Sequence, residues 1–247
     1  MANSGSKRVL ISNCDDKRAI TATISITLSG DILHYQLIYI GTTKRCLPAT
    51  GSLPDGFLLC YNKKHWSNTE ETVNILKNVI RPYCVSTRKR LGLPANQHAV
   101  MIWDDFSAHK TPQVTALMKD LNISIMRVPK NMTHLLAPID LTVNRTLKKM
   151  EQEFCCTYVR EQLANHLQHS PNNDFKLDTR LSILKPLHAK AIKSSYEFFQ
   201  TPDDRKIIKS GWRAAGITAA VERCRRDGID SHMLIDPFAN IFNAVHY

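Results

Sequence analysis

One short stretch limits the fold more than any other: Ala99–Trp103, five consecutive apolar residues that end on Asp104 and Asp105. The run is too short for a helix and has polar flanks, so it predicts a strand buried inside a sheet. After the two carboxylates come Phe106, Ser107, Ala108 and His109, and then Thr111 and Pro112, which predict the start of a helix. In α/β folds the carboxyl end of such a strand is where side chains meet a ligand.

Upstream, Ile20, Ala22, Ile24, Ile26 and Leu28 alternate with Thr and Ser, the period of a strand. Ser29-Gly30-Asp31 predicts a hairpin turn into a second strand over 32–40, paired antiparallel with the first. A third short strand is expected at 57–61, giving a hairpin or a three-stranded meander. Ser67 or Asn68 caps a helix with Glu70 and Glu71 in its first turn and Val73, Leu76, Ile80 and Tyr83 as its apolar stripe. Pro82 should kink this helix or end its first part.

Past the central strand, Val114, Leu117, Met118 and Leu121 mark a helix, and 123–129 a further strand. Strand, helix, strand implies a crossover and parallel pairing. The loop from Lys130 to Asp140 opens a long helix with the stripe Val143, Leu147, Met150, Phe154 and Tyr158. Beyond residue 168 the pattern loosens. Two shorter helices are expected near 184–199 and 203–225, with a tail at 235–242 packed back by its aromatics. The expected organisation is an α/β domain over 1–168 with a helical C-terminal extension of the same domain over 169–247.

Of the 247 residues, 43% are apolar, enough to fill a core, so disorder is not the default. Lys and Arg number 33 against 22 Asp and Glu, a net charge of +11. That balance suits a polyanionic partner, nucleic acid first and an acidic membrane surface second, although composition alone leaves open a basic exterior with no dedicated partner. Seven scattered Cys, never spaced C-x-x-C, indicate neither a disulfide framework nor a zinc site and favour a reducing compartment. With no visible signal peptide and no apolar segment of spanning length, a soluble intracellular protein without a membrane partner is expected.

Asp104 at the strand end and Asp140 at the start of the long helix form the candidate site. If 123–128 lies parallel beside 99–103, the loop after it returns Asp140 to the sheet edge that carries Asp104. Hard carboxylate oxygens suit Mg2+ or Mn2+, and a two-metal site stabilises the attacking and leaving oxygens in phosphodiester cleavage or strand transfer. Helix capping or an Asx turn uses the same residue type, and the residues alone leave that alternative open. His109 is placed to orient a carboxylate or a phosphate, or is polar surface.

The stretch Asp104-Asp105-Phe106-Ser107-Ala108-His109 resembles the D-N-x-P-A-H segment of pogo/Tigger-like transposases, the DDE superfamily endonuclease domain shared with jerky and centromere protein B relatives. The more specific match is 128–140, which runs from Val128-Pro129 through Asn131, Thr133, Leu136 and Pro138 to Asp140 and is similar to V-P-P-N-x-T-x-x-L-Q-P-L-D. Echoes at 16–21, 36–41, 65–68 and 184–189 extend the resemblance over nearly the whole chain. It implies an RNase H-like mixed sheet flanked by helices, in which three acids bind two divalent cations, Mg2+ or Mn2+, for DNA cleavage and joining. By motif position Asp104 is the second acid and Asp140 the third. The first acid belongs to an apolar strand upstream of Lys17-Arg18, so the sheet is expected to lack its first, central strand, with Val9-Leu10-Ile11 covering part of the gap. Ala137 stands where the family has Gln, and Asp105 where Asn is frequent. The family's amino-terminal helix-turn-helix is not matched.

The expected function is a transposase-derived DDE endonuclease domain that binds DNA in the nucleus. Metal-dependent cleavage and strand transfer belong to an intact parent, and this chain is expected to be inactive. Lys17, Arg18, Lys44, Arg45, Arg145, Lys148 and Lys149 are the candidate phosphate contacts. Two alternatives stand beside this reading: a domesticated, non-catalytic DNA-binding or chromatin protein, and a protein-interaction scaffold. DNA is the expected partner, and self-association into a homo-oligomer is left open.

Overall fold

The alternating Ile/Thr run folds as β1 (Ile20–Thr23), antiparallel to β2 (Gln36–Ile40) in the register Ile20↔Tyr39 to Thr23↔Gln36. The structure, a computed structural model, describes residues 20–169 and 174–228. Lys17, Arg18, Val9-Leu10-Ile11 and the 235–242 tail lie outside the described residues. Past Thr23 the regular ladder stops, and an isolated bridge between Ile26 and Ile32 continues it toward the turn. The turn closes at the expected place. Gly30 takes φ +94, its N–H donates to Thr27 O, and the Thr27 N–H donates to Asp31 O.

The expected meander is corrected by β3 (Leu58–Asn62), which runs parallel to β2 from Gln36↔Leu58 to Ile40↔Asn62. A hairpin loop cannot make that connection; the segment through the short turn Lys44–Cys46 is long enough to carry the chain back to the start of β2.

Of the two expected caps, Asn68 and not Ser67 caps α1 (Thr69–Ile75), its Oδ1 accepting the Glu71 N–H at 2.9 Å. The helix passes through a π-helical turn, Leu76–Ile80, into α2 (Arg81–Arg90). Pro82 therefore interrupts the α-helical pattern without ending the helix: the missing N–H falls at the first turn of α2, directly after the π turn.

β4 (Ala99–Trp103) crosses over through α3 (Pro112–Asp120) to β5 (Ile123–Arg127), and the two strands pair parallel from Ala99↔Ile123 to Trp103↔Arg127. Val114 and Met118 are fully buried and pack with Ile123, Val73, Leu76 and Ile80 in a core of their own. This pair forms a separate sheet from β1–β2–β3. None of the five β4 residues is fully buried, and Val100 is 41% exposed, because β4 has a strand on one side only among the described residues.

A short helix α4 (Thr133–Leu136) and a π-helical turn, Ile139–Val143, lead into α5 (Asn144–His169); of the predicted stripe, Val143 at the end of the turn and Leu147 on α5 are buried. α6 (Leu181–Phe198) follows. The single helix expected at 203–225 is two, α7 (Arg205–Ala214) and α8 (Ile217–Arg226), because Gly216 takes a left-handed φ of +75 between them. The larger core joins Tyr35, Leu37 and Val143 to Ile192, Phe199 and Ile208. There the rings of Tyr35, Phe57 and Tyr196 lie with centroids 5.0–5.4 Å apart.

α7 lies so close to the Ile139–Val143 turn that a Cβ on Gly211 would sit 2.4 Å from Pro138 O and 2.6 Å from Thr142 Oγ1. Thr142 Oγ1 donates to Ile207 O at 3.0 Å across the same contact. Gly211→Ala is expected to destabilise the fold by about 1–3 kcal/mol, seen as a lower urea midpoint, since the clash is with backbone rather than with a movable side chain. An unchanged midpoint would contradict the close approach.

Candidate functional site

The parallel register of β4 and β5 fixes the site's frame. The Val128 N–H donates to Trp103 O at 2.7 Å, so the chain leaves both strands on the same side of the sheet. Asp104 is the first residue beyond β4, and its side chain is 54% exposed. His109 Nδ1 lies 3.0 Å from Asp104 Oδ1, off the line of a well-directed hydrogen bond. The tight turn Ser107–Lys110 folds the imidazole back over the strand end, where it stacks on Trp103 with centroids 4.0 Å apart and planes 6° from parallel. Phe106 meets the same ring edge-on at 5.5 Å. The imidazole holds the Asp104 carboxyl below its usual range, outweighing a partial desolvation that acts the other way.

Asp105 pairs with Lys110, which depresses its carboxyl as well, with Lys130 and Arg127 adding to the effect. Three cations thus converge from the turn after β4, the end of β5 and the loop beyond it. The sequence reading missed all three, because only the parallel pairing brings them together. Arg127 also keeps its Nη1 buried without a hydrogen-bond partner among the described residues.

Asp140 is exposed in the first turn of the Ile139–Val143 segment and accepts a bond from Asn144 Nδ2. Each acid therefore has its own local partner. Among the described residues no three His, Cys, Asp or Glu side chains gather where a metal ion could sit. Asp104 and Asp140 offer oxygens of the right hardness for a divalent cation, but the described residues do not complete a ligand set around them.

Lys44 and Arg45 lie in the exposed turn beyond β2, where Lys185 Nζ donates to Arg45 O at 2.8 Å and adds a cation that the sequence did not single out. Arg145, Lys148 and Lys149 are exposed on the first turns of α5, with Lys149 3.9 Å from Glu153. Lys17 and Arg18 are outside the described residues. No helix among the described residues is long and apolar enough to cross a membrane. No disulfide joins two of the six described cysteines.

A family model for the DDE superfamily endonuclease matches residues 17–197, a span that includes both acid-bearing segments. The chain belongs to the DDE superfamily endonuclease family. Two relatives, from Mus musculus and Homo sapiens, are each described as "Pogo transposable element with KRAB domain" and are 26% identical to it over 175 residues. That match covers 70% of this chain and 26% of each relative, so the chain spans only a minor part of the curated relatives' length. No solved structure matches it. The pogo-type resemblance carried by the two motifs agrees with these relatives, and the chain is a pogo-like, transposase-derived DDE domain.

His109→Ala is expected to move the Asp104 carboxyl up toward the ordinary carboxylate range, followed by NMR titration of the labelled side chain. A carboxyl depressed in the folded state adds stability above its unfolded value, and that stability is lost as pH falls through the folded value. The variant should therefore lack this contribution at neutral pH and lose less stability than the parent on acidification. An Asp104 titration that does not move would rule out the imidazole as the cause.

Proposed function

We propose that this DDE-family domain binds DNA through its phosphate backbone and does not cleave it unaided. The observation that carries the reading is the set of cations at the carboxyl end of β4 and β5. Lys110, Arg127 and Lys130 gather around Asp105, and His109 covers Asp104, while no third acid joins them among the described residues. Such an arrangement attracts a polyanion more readily than it assembles a metal pair. The net charge of +11 acts in the same direction over longer range. Membership of the endonuclease family supports DNA as the polyanion and the nucleus as the place of action.

On this reading the two sheets are the flanks of an RNase H-like sheet whose central strand is not among the described residues, which accounts for the half-exposed β4. Asp104 and Asp140 are the matches to the second and third acids, and Mg2+- or Mn2+-dependent cleavage belongs to a protein that also supplies the first. The exposed edge of β4 favours a second reading, a protein-interaction scaffold that accepts a partner's strand.

Fluorescence anisotropy with duplex DNA should show binding that weakens steeply as salt rises. Supercoiled plasmid should stay uncut with either Mg2+ or Mn2+. Replacing Arg145, Lys148 and Lys149 with Gln should lower affinity and reduce the salt slope by about 2–3. No binding at low salt would remove the DNA reading in favour of the scaffold. Metal-dependent nicking that disappears in Asp104→Asn would restore the enzyme.

A further inference from the structure

Away from the carboxylates, the hairpin turn between β1 and β2 and the two last helices enclose an open groove of about 360 Å³. Leu28 and Val221 give it an apolar lining, Lys209, Arg213 and Arg225 give it positive charge, and Glu222 is its one acidic residue. α7 and α8 lie beyond the residues that match the endonuclease family. Neither the candidate acids nor α5 contributes a residue to this surface.

The sequence builds it by helical spacing. Lys209 and Arg213 are four apart on α7, and Val221 and Glu222 precede Arg225 by four and three residues on α8, so each helix turns one face to the groove. α7 buries Ile208 and Gly211 on its other side, and α8 buries Ile217 and Cys224 on the side next to its groove-lining face. The frame is fixed to the hairpin: Arg205 pairs with Asp31 at 3.3 Å, and the stem of Lys209 crosses Gly30 so closely that a Cβ there would meet Lys209 Cε at 2.9 Å. The Lys209 stem is thus laid over the turn while its ammonium stays outside.

The charges in the groove are available to a ligand. Arg205 and Lys206 are engaged by Asp31 and Asp203, whereas Lys209, Arg213 and Arg225 pair with no carboxylate among the described residues. Arg223 and Arg226 flank Arg225 and extend the positive field at the carboxyl end of α8. A helix that reads bases presents its amino-terminal residues to the major groove, whereas here Arg213 and Arg225 are in the last turns of their helices and Lys209 is mid-helix. The chemistry fits phosphates and not base edges.

We propose that this groove is a second docking surface for duplex DNA, one that holds the phosphate backbone without reading sequence. The proposal rests on the DNA-binding reading of the chain, and the test separates the two. Anisotropy titrations of the full chain with a random-sequence duplex, across a range of salt, compare the parent with the Lys209→Gln/Arg213→Gln/Arg225→Gln variant. That variant should lose roughly tenfold or more in affinity near 0.1 M salt, and its salt slope should fall by about 2–3. Glu222→Lys should bind several-fold tighter, a gain that misfolding cannot produce. If both variants bind as the parent does while the α5 triple variant is weakened, the groove is not a DNA surface and the DNA-binding reading survives. If the parent fails to bind duplex at low salt, that reading falls and the groove proposal falls with it. A changed preference among duplex sequences in either variant would overturn the backbone-only assignment.

Discussion

The parallel pairing of β4 with β5 is the constraint from which the candidate site follows. Its register sets Trp103 beside Arg127. The residues that leave the two strands, Asp104 and Asp105 on one side and Val128 to Lys130 on the other, then share one end of the sheet. α3 makes this register tolerable: it spans the crossover and buries Val114 and Met118 against Ile123 and the α1 stripe. Without that packing the two strands would have no reason to lie side by side, and Asp105 would lose two of the three cations that depress its carboxyl.

The second acid is placed by a different route. Asp140 sits on a π-helical turn, and that turn is clamped by α7 through Gly211 and the Thr142–Ile207 bond. A helix outside the span matched by the family model thus sets the position of a residue inside its most specific motif. The same helix ties the hairpin turn to the rest of the molecule through Arg205 and Asp31. The carboxyl-terminal helices are therefore a supporting frame for the acid-bearing segment as well as the wall of a basic groove.

Features decided within a few residues were legible in the sequence. The Asn68 cap, the Gly30 turn, the antiparallel start of β1–β2 and the parallel β4–β5 crossover all rest on local period or turn chemistry, and all are present. What escaped depends on contacts between distant segments. Nothing in Leu58–Asn62 says which side of β2 it joins or in which direction, and Gly216 inside an otherwise helical run reads equally as a tolerated helix residue or as a break. At the site, Asp104 and Asp140 stand out by residue type and motif, but Arg127 and Lys130 become visible only once β5 lies beside β4. The exposure of β4 has the same origin: a purely apolar strand reads as interior until its number of neighbours is known.

The stack of Trp103 on His109 has an optical consequence. Indole emission is quenched on contact with a protonated imidazole much more strongly than with a neutral one, and these two rings lie face to face at 4.0 Å. Of the three tryptophans in the chain, Trp66 is largely exposed and Trp212 packs against the larger core. Trp103 is the one that adjoins the carboxylates. Its fluorescence therefore reports, without any label, on the contact between the two rings, and drawing His109 away from the strand end is expected to brighten it.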